Sequence, residues 1–453
     1  MRIVIVGDGK VGVTLTEQLS KEGHDIVIVD SNEQVLQESS NRYDIMTICG
    51  NGASLTVQKE AGVGDSDLLI AATSEDEVNL LTCILGRKLG VKHTIARVRN
   101  PEYAQQLAFL KEELGLSLSI NPERTAAIEI LNLLRFPAAL KRDTFAKGRV
   151  EIIELKVSAD SPLNGCRLSD LPKISKSAPI LICAVTRGED VYIPSGDFCL
   201  QAGDKINVTG TLQNLTAFVR QLKIIERRIR YVMLIGGSRV AFYLSAALSA
   251  DGTDVKIIER DPERCEQLAA QLPRATIICA DGSRPSVLAT EGFEHCDALV
   301  TLTDIDEENI VVSMYASQMG VPKVITKING TEYNAVCRNV GVECAVSPKS
   351  LVCSDIVRYV RAMENTSEDA MLTLHRIVDN RVDALEFLVT NDTLHQNEKL
   401  RDIKLKPNLL LTSINRNGKI LIPGGNDYLQ KGDSVVIVTT SDHIYHNINA
   451  IFA

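Results

Sequence analysis

Near the start of the chain, three glycines and one acid stand where they could hold a dinucleotide. The glycines lie in the run Gly7-Asp8-Gly9-Lys10-Val11-Gly12, and Asp30 follows. Each glycine has its own task. Gly7 permits a tight turn, Gly9 lets the backbone approach a pyrophosphate, and Gly12 lets the next helix pack close to the strand while its N-terminus faces the anion. An acid at the place of Asp30 accepts hydrogen bonds from ribose hydroxyls and repels a 2′-phosphate, which favours NAD or an adenosine nucleotide over NADP.

These roles require a strand before the glycines and a helix after them. Arg2-Ile3-Val4-Ile5-Val6 is a β-branched run suited to the buried centre of a parallel sheet, and Leu15 and Leu19 follow at helical spacing. A second strand, Asp25-Ile26-Val27-Ile28-Val29, closes on Asp30. A third runs through Ile45–Cys49 into Gly50-Asn51-Gly52, and a fourth through Leu68–Ala72 into Thr73-Ser74. Such ends lie at the carboxyl edge of the sheet, where open α/β folds bind ligands. Asn51, Gly52, Thr73 and Asn79 are therefore candidate contacts. Helix capping and surface polarity are the competing explanation for Thr73 and Asn79.

The same pattern returns at an offset of 229 to 230 residues. Gly7, Gly9 and Gly12 become Gly236, Ser238 and Ala241; Lys10 and Val11 become Arg239 and Val240; Asp30 becomes Glu259; Asn51 becomes Asp281. Thr73 and Arg97 become Thr303 and Lys327. Pro194, Gly196 and Gly203-Asp204 reappear as Pro423, Gly425 and Gly432-Asp433, so the repeated unit is a nucleotide-binding domain with a smaller companion. Ser238 places a side chain where a pyrophosphate would meet the backbone, and the second site is expected to be weaker by crowding.

The chain of 453 residues is long enough for two units of two domains. A net charge of −9 argues against nucleic acid as a partner. The basic run 226–230 reads as a solvated join between halves. The chain opens directly on a strand, and no apolar run reaches the roughly 20 residues a membrane helix needs, so a cytosolic protein is expected. Eleven cysteines without a C-x-x-C pair, Cys49, Cys183 and Cys279 among them, read as small buried hydrophobes. His443 and His446 share a helical spacing but are too few for a metal site.

The segments 143–222 and 370–453 alternate at period two, as in Val150–Val157, and form small strand-rich companions. Segments 121–142 and 347–364 carry helical periodicity and connect them to nucleotide-binding domains at 1–120 and 230–346. The fold class is α/β. Neither unit offers an obvious general base in a substrate pocket.

The glycine fingerprint, the acidic strand end, Gly50-Asn51-Gly52, Ala71-Ala72-Thr73, Ala96-Arg97-Val98-Arg99 and the companion with Ile193-Pro194 and Gly203-Asp204, all duplicated, resemble the RCK (KTN) family. The duplicated form resembles the regulatory subunits of Trk-type potassium uptake. The resemblance implies two tandem units, each a Rossmann-like doubly wound parallel sheet followed by a small α+β domain. It implies NAD(H) and ATP/ADP as ligands and no enzymatic activity. As partner it implies a Trk-type membrane potassium transporter subunit, served from the cytoplasmic face of the membrane by a homo-oligomeric, tetrameric ring of these domains.

Carried over by position, the resemblance assigns Gly7, Gly9, Gly12 and Asp30 to the adenosine part. Lys10, and Arg239 in the second copy, fall where a basic residue can reach a terminal phosphate of ATP; a solvated turn is the alternative for Lys10. Arg97 and Arg99 match a basic strand end facing a partner domain, and Glu123 matches a glutamate that can hold a cation. Lys349 stands at that place in the second copy. A bifunctional NAD-dependent dehydrogenase and a regulator of potassium efflux or antiport are the alternative functions.

Overall fold

Ile3, Val4, Ile5 and Val6 are all essentially buried, as a β-branched run must be at the centre of a sheet covered on both faces. A computed structural model of the chain describes residues 1–110, 113–145, 149–175, 179–222, 228–330, 333–364, 371–378, 381–440, 445 and 447–453. Residues 226 and 227 of the basic run, and His443 and His446, lie outside the described residues.

The first sheet contains, in chain order, Arg2–Val6, Asp25–Asp30, Met46–Cys49, Leu68–Ala71, His93–Arg97 and Leu118–Ile120, arranged 3-2-1-4-5-6. Every pairing in it is parallel. The second sheet repeats this order with Tyr231–Ile235, Asp254–Glu259, Thr276–Cys279, Ala298–Thr301, Lys323–Lys327 and Ala345–Val346. Strand order reverses between strands 1 and 4, which opens a crevice at the carboxyl ends.

Each small domain is a five-stranded antiparallel sheet with the same connectivity. The Gly-Asp turn noted in both repeats has a physical role. Asp204 accepts from Arg187 at 2.8 and 2.7 Å and from the Gln201 amide, and Asp433 does the same with Arg416 and Gln430. Although Asp204 is buried, which alone would raise its pKa, the Arg187 guanidinium and the Gln201 amide hold the carboxyl below its usual value.

The compact bodies are not the two sequence repeats. Both Rossmann-like domains (Met1–Leu131 and Arg230–Val357) form one unit, and both small domains (Asn132–Ile229 and Arg358–Ala453) form the other. In the second unit, Phe145, Ile152 and Cys183 of one small domain share an apolar cluster with Ile377, Val382 and Val438 of the other.

Two expectations need correction here. The first connecting helix covers Pro122–Arg135 and stops short of residue 142, with the next strand beginning at Lys141. Pro137 accounts for this, because the residue before a proline is pushed out of helical conformation. Cys183 is buried, but Cys49 and Cys279 are exposed. Each ends the edge strand of its parallel sheet, in register with Asp30 or Glu259, where one side has no neighbouring strand.

Candidate functional site between two glycine turns

Gly7 has φ +101°, and a Cβ there would lie 2.8 Å from the Thr73 amide nitrogen; Gly236 has φ +98° and meets Thr303 at 2.9 Å. Only glycine fits a turn pressed so closely against the next strand end. A Cβ on Gly12 would sit 2.0 Å from the Gly7 carbonyl oxygen, so this glycine brings the helix Lys10–Lys21 down onto the turn. Gly9 differs: a Cβ there meets no protein atom within 4 Å. Ser238, its counterpart, turns its hydroxyl back to accept from the Ala241 amide at 3.4 Å and so caps the helix Arg239–Ala250. The helix after Gly9 has no side-chain cap. Its first N–H groups are free of side-chain competition for an anion.

Asp30 and Glu259 hold matching positions. Asp30 accepts from the amides of Asp8 (2.7 Å) and Asn32 (2.8 Å), and Glu259 accepts from those of Gly237 and Asp261 (2.5 and 2.8 Å). Each carboxylate thus locks the glycine turn to the second strand while facing the crevice.

A cavity of about 760 Å³ opens over the first turn. The fingerprint residues Gly7, Gly9, Lys10 and Val11 line it, as do Asp30, Asn51, Gly52, Thr73, Arg97 and Glu123. Its wall is completed by the second repeat through Ser238, Arg239, Val240, Lys327, Asn329 and Lys349. Six cations therefore line one space: Lys10, Arg97, Arg99, Arg239, Lys327 and Lys349, against the carboxylates of Asp30, Glu75, Glu123 and Asp304.

Short contacts fix these groups. Lys327, buried, donates to Asp304 at 3.0 Å. Arg99 donates to the Ser74 carbonyl. Arg97 faces Glu123 at 3.8 Å, and burial lowers its pKa while Glu123 counters the shift. An arriving phosphate would satisfy such a desolvated guanidinium. The two repeats are also tied directly, because Tyr243 donates to the Arg99 carbonyl at 3.1 Å and accepts from Asn121 at 3.1 Å.

A second cavity, about 310 Å³, lies over the second turn and is lined by Gly236, Ser238, Glu259, Asp281 and Thr303. Arg239, Val240 and Lys327, grouped by sequence with this second site, line the first cavity instead. Ser238 borders both.

Several candidates sit behind the cavity walls. Asn79 is fully buried, and its amide bonds the Thr73 amide, hydroxyl and carbonyl and the Arg97 carbonyl, so it shapes the loop from beneath. It is neither a surface residue nor a helix cap; Glu75 holds the cap position of the following helix. Asn309 repeats this role with Thr303 and Lys327. Ala241 is buried in the core, and Gly12 acts only by packing.

Asp8 is also buried rather than displayed. Burial pushes its carboxyl up to about 6, with Ser39 pulling it back and Asp30 and Glu38 adding to the rise.

Glu123 lines the first cavity and faces Arg97 at 3.8 Å. Among the described residues no cluster of three or more His, Cys, Asp or Glu is arranged to hold a metal, and Glu123 shares its cavity with Arg97 and Lys349. Sequence reasoning missed Asp304, Asn329 and Arg264 as lining residues; Asp304 adjoins Thr303, which was the available signal.

Comparison with known proteins agrees with this architecture. Residues 3–122 and 232–348 match the TrkA-N domain, and residues 152–223 and 384–449 match the TrkA-C domain. The chain is 30% identical to the Trk system potassium uptake protein TrkA of Halomonas elongata, covering 100% of this chain and 98% of that one. It is 32% identical to a TrkA homolog of Archaeoglobus fulgidus over the whole of both. The fold is similar to that of the GsuK RCK domain, with TM-score 0.64 and 17% identity over 97% of this chain and 92% of that one. A structure described as the GsuK channel bound to NAD gives TM-score 0.63 at 18% identity, covering 97% and 77%. The chain thus belongs to the TrkA family, with its TrkA-N and TrkA-C domains in alternation, twice.

Proposed function

We infer that the chain is a nucleotide-sensing regulatory subunit that controls potassium uptake through a Trk-type membrane transporter and has no catalytic turnover of its own. The full-length likeness to Trk system potassium uptake proteins supports the transport role. The observation that carries the sensing role is the cavity in which Lys10 and Arg97 of the first repeat and Arg239, Lys327 and Lys349 of the second line one space. A nucleotide whose ribose is held by Asp30 directs its phosphates toward those cations. ATP and ADP then differ in how strongly they draw the two repeats together, and NAD(H) occupies the same ribose and pyrophosphate places. By linkage, a nucleotide shifts the subunit's conformation only by its differential affinity for the two states.

The subunit works as a homo-oligomer, a tetrameric ring on the cytoplasmic face of its transporter. Exposed apolar residues on two helices of the second Rossmann-like domain and just past their ends support self-association: Val311, at 63% exposure, with Met314, Met319, Val336 and Val340. No helix among the described residues is long and apolar enough to cross a membrane, so a membrane position comes through the partner.

The test is co-purification with a Trk-type membrane subunit, followed by calorimetry with ATP, ADP and NADH on the same preparation. A stable complex that binds adenosine nucleotides without consuming them is the expected result. Failure to associate, or steady NADH oxidation with a small hydroxy acid, would refute the reading.

A further inference from the structure

The two glycine turns are near copies, but their surroundings have diverged in charge: the second cavity gains four carboxylates and two cations, while Glu75 of the first becomes Ile305. Around the second cavity, Asp261, Asp281, Asp304 and Glu308 stand where the first copy has Asn32, Asn51, Ser74 and Val78. Four neutral positions have become carboxylates. Asp304 follows the Leu302–Thr303 backbone that Gly236 touches, so its charge lies beside the place a pyrophosphate would take.

Of the basic residues that repeat those of the first copy, Lys327 offsets Asp304 alone and Arg239 faces the other cavity. Arg239 and Lys327 line the first cavity, and Lys327 is held by Asp304 at 3.0 Å. The N-terminus of the helix Arg239–Ala250 is capped by its own Ser238, whereas the matching helix in the first repeat carries no side-chain cap. The added cations of the second cavity, Arg260 and Arg264, stand where the first copy has Ser31 and Val35, next to Glu259. Arg264 donates to the Gly237 carbonyl at 2.7 Å, which fixes its guanidinium over the turn.

We propose that the second cavity takes an adenosine ligand bearing no more than one phosphate, with Glu259 on the ribose and Arg264 on the single phosphate, and that it refuses pyrophosphates. Each chain then holds one ATP, ADP or NAD(H), in the first cavity, to which the second repeat contributes phosphate-facing cations. The proposal rests on the nucleotide reading of the first cavity. Both halves keep the ribose acid, but the first cavity is lined by six cations and the second by Arg260 and Arg264.

Binding stoichiometry on the full chain, measured by calorimetry with ATP and with AMP, decides it. The wild type should bind one ATP per chain, with any second ATP weaker than AMP by roughly tenfold or more, as expected when like charges sit a few ångströms apart. Glu259→Ala should remove one AMP per chain and leave ATP binding intact. The double variant Asp281→Asn, Glu308→Val, which restores the first copy's residues at two positions that line the second cavity and not the first, should raise ATP to two per chain. Two ATP molecules of equal affinity on the wild type would overturn the proposal, as would AMP binding unaffected by Glu259→Ala or a stoichiometry of one in the double variant. If the wild type bound no ATP, the reading of the first cavity would fail by itself. AMP binding lost in Glu259→Ala but kept in Asp30→Ala would still support the second cavity, and the opposite pattern would dismiss it.

Discussion

The hydroxyl of Tyr243 donates to the carbonyl oxygen of Arg99 at 3.1 Å, joining the first helix of the second repeat to the basic strand end of the first. Asn121 donates to the same hydroxyl, so a single phenol carries two hydrogen bonds between the repeats. Replacing Tyr243 with Phe should lower stability by about 1–3 kcal/mol, at a net 0.5–1.5 kcal/mol per hydrogen bond. Thermal unfolding followed with and without ATP checks this. A drop of several degrees that shrinks when ATP is present is expected, since a ligand held by both repeats substitutes for part of the lost link; an unchanged midpoint would count against the link.

Arg239 and Lys10 face one cavity from different repeats. On the proposed nucleotide reading each adds a charge-assisted contact to a terminal phosphate, so Arg239→Ala and Lys10→Ala should each weaken ATP by roughly 1.5–3 kcal/mol, with ADP losing less. Calorimetry in low and high salt measures both ratios. If Lys10 is only a solvated turn residue, its variant will bind ATP like the wild type.

Asp30 has two tasks, and two substitutions separate them. It holds the Asp8 and Asn32 amides as well as facing the crevice. Asp30→Asn keeps one oxygen for the turn and should lose about 1.5–3 kcal/mol of nucleotide affinity, the worth of a hydrogen bond to a charged group. Asp30→Ala should lose at least as much and also lower the melting temperature of the free protein. Unchanged affinity for NADH, ATP and ADP in both variants would remove the ribose contact.

Local pattern carried the sheets and the glycine turns into the sequence, because a β-branched strand, a glycine turn and an amphipathic helix each leave a short-range periodicity. Asp30 was legible for the same reason, being the last residue of such a strand. Arg239 and Lys327 were legible as basic residues but not as members of the first cavity. That depends on like domains pairing with like, a tertiary choice with no local period. Asn79 reads in sequence as a contact at the crevice, with a surface or capping role as the alternative, because burial of a fully bonded amide cannot be seen from its type. Cys49 and Cys279 erred in the opposite direction, because an edge strand looks as apolar in sequence as a central one.

The buried carboxyl of Asp8 gives the protein a pH dependence of definite sign. Its usual value is 3.8, and in the folded chain it titrates at about 6, so the folded state binds the proton more tightly in that window. Stability from this group is therefore present below pH 4, falls as pH rises to 6, and is lost above that. Asp8→Asn removes the charge with little change of shape. It should stabilise the protein at pH 7.5 by roughly 1–3 kcal/mol, taking 1.36 kcal/mol per unit as an upper guide. The gain should vanish near pH 4. A gain that is equal at both pH values would show that the carboxylate is not the cause.

The central claim is that phosphates read by both repeats set potassium uptake. Potassium flux through the reconstituted Trk-type transporter with this subunit bound, titrated with ATP in the wild type and in Arg239→Ala, tests it most directly. The wild type should respond to ATP, and the variant should need at least tenfold more ATP for the same response, the fold-change that about 1.4 kcal/mol produces. Flux that follows the same ATP curve in both proteins, or ignores ATP in the wild type, would contradict it.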